Sequence, residues 1–277
     1  MDRRTFLHSL TAAAASSALT GRARADGLPR PAPVPGGVAI VKLGPEPSPP
    51  LARFNGERVL VTGEASGWYA VVGIPLDAKV GAALPLTVER GERGAETIAL
   101  EIGRKRYATQ HLSVKPEQVE LSPEDLARHE QERAHLRGVL RIFSDQAPDS
   151  LLLLQPCEGS RSDSFGKRRF FNRQPRSPHT GLDIAAPDGT PVVAAGTGNV
   201  LDVGDYFFSG HTLILDHGRS FLTLYAHLSA IDAKAGDRVA AGKRIGSVGA
   251  TGRVTGPHLH FSVYLNAAAV DPELFIS

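Results

Sequence analysis

The chain has 277 residues, of which 42% are hydrophobic, 22% charged and 6% aromatic, a globular balance with length for one or two cored domains. Lys and Arg number 31 against 29 Asp and Glu, and a net charge of +2 excludes a protein that grips nucleic acid or anionic lipid through bulk charge. A single cysteine, Cys157, excludes an internal disulfide framework and a Cys-based zinc finger or iron–sulfur cluster; ten histidines make imidazole and carboxylate the expected ligands of any metal.

Residues 1–25 read as an export signal. Arg3 and Arg4 lead into a short, weakly apolar stretch rich in Ala and Ser, and Ala23-Arg24-Ala25 offers an Ala-x-Ala cleavage site. The run Arg3-Arg4-Thr5-Phe6-Leu7 is similar to a twin-arginine signal. The stretch falls short of the about 20 apolar residues that a membrane span needs, so cleavage after Ala25 and no lasting membrane insertion are expected, with the product in a periplasm. Removing the four arginines and one aspartate of this segment leaves 27 basic and 28 acidic residues, a nearly neutral protein.

Residues 26–37 contain Pro-Ala-Pro-Val-Pro-Gly-Gly, the composition of an extended linker. From 38 to 120, short β-branched and aromatic runs such as 38–41, 59–61 and 68–72 alternate with Gly/Pro turns, which predicts a small antiparallel β-domain, a sandwich, with Trp68 and Tyr69 in packing roles. A helix and connector occupy 121–150. Ser122 can cap, Pro123 suits the first turn, and Glu124 and Asp125 favour the positive end of the helix dipole, so a helix is expected to about Arg137, solvated and joining two domains. His129 and His135, six apart, face different sides and make no metal pair. Residues 151–277 again show short strands and many glycines without helix-length periodic segments, which predicts a second, mainly antiparallel β-domain. The fold class expected is mainly β.

That second domain holds six of the histidines. His179 and Asp183 stand four apart and His258 and His260 two apart; in strands each even spacing puts both side chains on one face. His179, Asp183 and one of the later pair would make the three-ligand set of a hydrolytic zinc site with its fourth position left for water, and the other histidine would serve proton transfer. His211 and His217 read as structural or surface residues, and Cys157 as an unpaired structural thiol. The basic run 166–169 is either a holder of a substrate carboxylate or a solvated loop.

Over roughly residues 164–271 the chain resembles the lysostaphin-type, or LytM-domain, zinc endopeptidases of bacterial cell walls. The resemblance rests on His179-Thr180-Gly181-Leu182-Asp183, Asp216-His217-Gly218, Leu224-Tyr225-Ala226-His227-Leu228, Gly236-Asp237-Arg238-Val239 and Gly256-Pro257-His258-Leu259-His260-Phe261. It implies that His179, Asp183 and His260 hold one zinc ion per chain and that His227 and His258 are catalytic, orienting the attacking water and stabilising the tetrahedral oxyanion. The implied substrate is peptidoglycan stem peptides or cross-bridges, in a periplasm the link between D-alanine and diaminopimelate. The competing expectation is a non-catalytic wall-binding or amidase-activating module, against which the intact ligand set counts. The resemblance does not reach the first 150 residues, for which a groove-covering, latency-conferring role is a further expectation.

Overall fold

The computed structural model describes residues 27–276 except 113–120, 163, 173 and 176. The export signal and its cleavage point lie outside the described residues, as does the end of the first β-region near Val119. No helix among the described residues is long and apolar enough to cross a membrane.

The first β-region forms two antiparallel sheets. β1 (Val38–Gly44), β5 (Gly67–Gly73) and β4 (Leu60–Glu64) make one, in the order β1-β5-β4; β3 (Glu57–Arg58), β2 (Leu51–Phe54), β6 (Ala83–Glu89) and β7 (Ala95–Glu101) make the other. Asn55 and Gly56, both at positive φ, close the β2–β3 hairpin, a conformation that the right-handed twist of paired strands favours. Between the sheets lies a core that includes Phe54, Val72, Ile74, Leu86 and Val88, so the expected sandwich forms. Trp68 is partly buried and its Nε1–H donates to the Glu46 carbonyl at 3.0 Å, as its packing role requires.

The sheet β1-β5-β4 is apolar on both faces. Ala39, Val61, Ala70 and Val72 enter the sandwich core, while Val38, Leu60 and Val71 join the core of the second β-region. Period-two alternation thus makes one sheet the wall of two cores. The Pro/Gly segment beside it is pinned rather than slack. Arg30 N–H donates to the Leu274 carbonyl, Gly36 N–H to that of Ile74 and Asp271 N–H to that of Gly36, at 2.8–2.9 Å, while Ala32 pairs with Val38. Gly36, at φ 73°, lies so close to Leu76 and Phe165 that a Cβ would fall 2.6 Å from each.

β8 (Thr109–Leu112) leaves the sandwich and pairs in parallel with β10 (Arg168–Phe171), itself antiparallel to β11 (Gln174–Pro175). α1 (Pro123–Val139) begins where its capping residues predict, with Ser122 Oγ accepting from Asp125 N–H at 3.1 Å, and runs two residues past Arg137. It is less free than a solvated strut. Val139 and Leu136 pack on Ile214, Leu222 and Leu224, Glu132 Oε2 accepts from Phe207 N–H at 2.8 Å, and His135 Nε2 lies 3.1 Å from Asp202 Oδ1.

The second β-region is built on a ten-stranded antiparallel sheet. It contains β9 (Ser160–Arg161), β12 (Leu182–Ala185), β13 (Pro191–Val193), β14 (Gly198–Tyr206), β15 (Gly210–Gly218), β16 (Phe221–Ile231), β17 (Arg238–Val239), β18 (Arg244–Val248), β19 (Leu259–Leu265) and β20 (Ala268–Val270). Its main path runs β17-β14-β15-β16-β19-β12-β9, with β18 beside β16 and β13, and β20 beside β19. Leu182, Ile184, Leu213, Tyr225, Phe261 and Val263 face the larger core. Ile214, Leu222, Leu224, Ala226 and Tyr264 take the opposite face, part of which α1 covers. The rest of that face carries the histidines.

Candidate active site

Three neighbouring strands bring the site together. In the order β16-β19-β12, His260 stands opposite Asp183 on one side and Ala226 on the other, so these positions share a face of the sheet. His179 arrives differently from the strand geometry expected for its four-residue spacing. It lies in the loop before β12, yet its Nε2 reaches Asp183 Oδ1 at 3.1 Å. Gly181 makes that loop possible, since a Cβ there would fall 2.6 Å from Ser262 Oγ and 2.7 Å from His260 Nε2.

His260 Nδ1 meets the same Asp183 oxygen at 3.0 Å and His258 Nε2 approaches it at 3.8 Å. One ligand atom each from His179, Asp183 and His260 lie within 4.8 Å of one another. Two imidazoles and one carboxylate at that separation fit a divalent ion such as zinc, which takes nitrogen and oxygen donors and, at hydrolytic sites, three protein ligands.

His227 joins this face through a break in the strand pattern. Residue pairing between β15 and β16 shifts so that Ala226 and His227 stand opposite Thr212 alone, and His227 has φ 64°. Tyr225 and Leu228, on either side, both face the larger core. Regular alternation would send His227 into that core; the extra residue of the bulge and its left-handed backbone turn the ring outward, to 4.8 Å between centroids from His258. His227 N–H donates to the Ser209 carbonyl at 2.9 Å, which holds the bulge.

Backbone carbonyls orient three of the four rings. His179 Nδ1 lies 3.2 Å from the Ser164 carbonyl, His227 Nδ1 2.9 Å from that of Thr251 and His258 Nδ1 2.9 Å from that of Gly256. A carbonyl only accepts, so each Nδ1 carries the proton and each Nε2 presents a lone pair. Burial, with His260 adding like charge, pushes His227 down to about 4, so its ring is neutral near pH 7. Burial alone would raise the Asp183 carboxyl, but where no cation lies between them the His179 and His260 rings, protonated on the nitrogens that meet it, reverse this and hold it well below the usual carboxylate range. Burial lowers His260 against the opposing pull of Asp183.

The five residues singled out in the sequence are thus neighbours. Sequence reasoning missed the orienting carbonyls, which no side-chain pattern encodes, and the bulge at His227. Elsewhere, His217 is buried in bonds to Thr197 and Thr223, and Cys157 is a buried free thiol raised to about 11 by burial, both as expected of structural residues.

Comparison with known proteins accords with this architecture. Residues 177–272 match Peptidase family M23 and residues 31–105 match the Peptidase family M23 N-terminal domain. A crystal structure of a putative peptidase M23 from Pseudomonas aeruginosa is 43% identical, with a TM-score of 0.74 over 88% of this chain and 95% of that one. The chain belongs to peptidase family M23. The M23 domain is 41% identical over 111 residues to the peptidoglycan DD-endopeptidase ShyA of Vibrio cholerae, and 46% over 94 residues to the DD-carboxypeptidase/endopeptidase Mpg of Neisseria meningitidis. These matches cover 40% and 34% of this chain but only 26% and 22% of those relatives.

Proposed function

We propose that this M23 chain is an exported zinc endopeptidase that hydrolyses peptide cross-links of peptidoglycan. The observation that carries the reading is the convergence of His179 Nε2 and His260 Nδ1 on Asp183 Oδ1, with His227 and His258 on the same face. His179, Asp183 and His260 hold one zinc ion. Bound there, zinc supplies Lewis acidity toward a scissile carbonyl and makes water more acidic. His227 and His258 are the catalytic pair. Each is anchored at Nδ1, so each can take a proton at Nε2 without turning, and a ring so protonated offers an Nε2–H to a developing oxyanion.

Relatives with related M23 domains are named as a peptidoglycan DD-endopeptidase and a DD-carboxypeptidase/endopeptidase, which supports stem peptides or cross-bridges as the substrate. Residues 1–25 would direct export to the periplasm and be removed after Ala25. For a chain exported there, the resemblance to cell-wall endopeptidases implies the link between D-alanine and diaminopimelate as the bond cut.

The roles separate under mutation. His260→Ala is expected to lose zinc and wall-degrading activity together, whereas His227→Ala keeps zinc and loses activity by at least about a hundredfold, the scale of a proton-transfer group. Metal analysis and mass spectrometry of muropeptides released from purified walls read both. A zinc-loaded, fully active His227→Ala protein would overturn its assignment, and activity indifferent to chelator and added zinc would overturn the enzyme reading.

A further inference from the structure

Behind His260 lies a buried polar group to which the proposed function gives no part. Ser262 stands two residues along β19, fully buried, with Oγ 2.9 Å from His260 Nε2. Tyr264, two residues further on the same face, is buried as well. Thr180 belongs to the loop that carries His179, and Gly181, next to it, leaves the space that Ser262 Oγ and the His260 ring occupy. The two segments of the site therefore meet twice, in front of His260 at Asp183 and behind it at Ser262.

The rear contact has a chemical consequence. A histidine that gives a lone pair to a cation through one nitrogen keeps its proton on the other, and a buried N–H needs an acceptor. His260 turns Nδ1 toward Asp183 and the ligand set, so with zinc on Nδ1 it is Nε2 that must hold the proton. Ser262 Oγ carries two lone pairs beside its proton, so at 2.9 Å it can accept from His260 Nε2–H.

We propose that Ser262 is a positioning residue that keeps the proton of His260 on Nε2 and thereby sets the affinity of the His179, Asp183 and His260 set for zinc. This rests on the zinc reading above.

Threonine and valine are alike in shape and differ in the hydroxyl, so Ser262→Thr and Ser262→Val separate the hydrogen bond from packing. Competition with a chromogenic chelator should leave Ser262→Thr within about threefold of the parent and weaken Ser262→Val by about 10- to 100-fold, the usual effect of losing a partner to a metal-binding histidine. The slowly exchanging Nε2–H resonance of His260 in the zinc-loaded protein should persist in the parent and Ser262→Thr and be lost in Ser262→Val. Should neither branched variant fold, Ser262→Ala, which is smaller than serine, is measured in the same way. Unchanged affinity and an unchanged resonance on loss of the hydroxyl overturn the role of Ser262 while leaving the zinc site standing. A parent protein that takes up no zinc overturns the zinc reading itself, and this role with it.

Discussion

Gly181 shows how closely single atoms decide the site. A methyl group there would lie 2.6 Å from Ser262 Oγ and 2.7 Å from two atoms of the His260 ring, closer than real carbon contacts allow. Ser262 is fully buried and cannot swing clear, so the ring must give way and Nδ1 must leave Asp183. Gly181→Ala is therefore expected to weaken zinc binding by at least about tenfold, in line with disturbing a ligand's support, while the chain still folds. Chelator competition together with circular dichroism checks both parts; native affinity in a folded variant would show that the ring adapts. At this scale the sequence is highly legible. His258 and His260 share a face by period two, and Asp183 stands opposite His260. His179 reaches the same point for a reason the pattern does not contain, a glycine loop instead of a strand. His227 defeats periodicity altogether, since only the bulge keeps it out of the larger core.

Between elements, the helix α1 acts on the site through hydrogen bonds rather than bulk. Its Glu132 receives Phe207 N–H at 2.8 Å and is bridged by Arg128 at 2.6 Å, which fixes the turn between β14 and β15. The Ser209 carbonyl in that turn holds His227 N–H, and Thr251 Oγ1 accepts from His211 N–H just beyond it. Helix, hairpin and the His227 ring thus form one chain of contacts. Glu132→Ala removes its first link, and the loss of one such bond, worth about 1 kcal/mol, should lower kcat roughly fivefold with zinc content unchanged. Equal kcat in the variant would show that the hairpin holds its own shape. The helix itself is legible from Ser122, Pro123 and the acids of its first turn, but its docking is not. Its apolar contacts are few and lie near its carboxyl end, and its polar anchors look in sequence like those of any solvated helix.

The whole molecule is joined more tightly than two domains on a linker. The shared sheet places Val38, Leu60 and Val71 in the second core, and Asn266 spans the junction, receiving Gly73 N–H at 2.7 Å and donating to the Gly73 carbonyl at 2.9 Å. Sequence pattern shows two β-regions because each has its own turns and strands. The unbroken apolar runs 38–41 and 70–72 mark strands covered on both faces, but they do not say that the second cover is the other β-region.

Inside the second core His217 lies fully buried. Its Nδ1–H donates to the Thr197 carbonyl at 2.9 Å and its Nε2 lies 2.8 Å from the Thr223 hydroxyl, so both ring nitrogens have partners inside the core. Burial lowers its pKa below the usual histidine value, with the Thr197 carbonyl opposing. The unfolded chain therefore binds this proton at a higher pH than the folded one. Its contribution to stability is complete above about pH 6.5, the ordinary histidine value, and is lost as the pH falls through the lowered folded value. Urea unfolding of the zinc-free protein should show the parent losing up to about 1.4 kcal/mol per pH unit more than His217→Asn in that window, the slope of one proton. His227 and His260 titrate in both proteins with the same sign, so the difference between the two curves isolates His217. The variant should be less stable than the parent at pH 8 and converge toward it in acid. Parallel curves would mean that the ring takes up its proton without leaving the core.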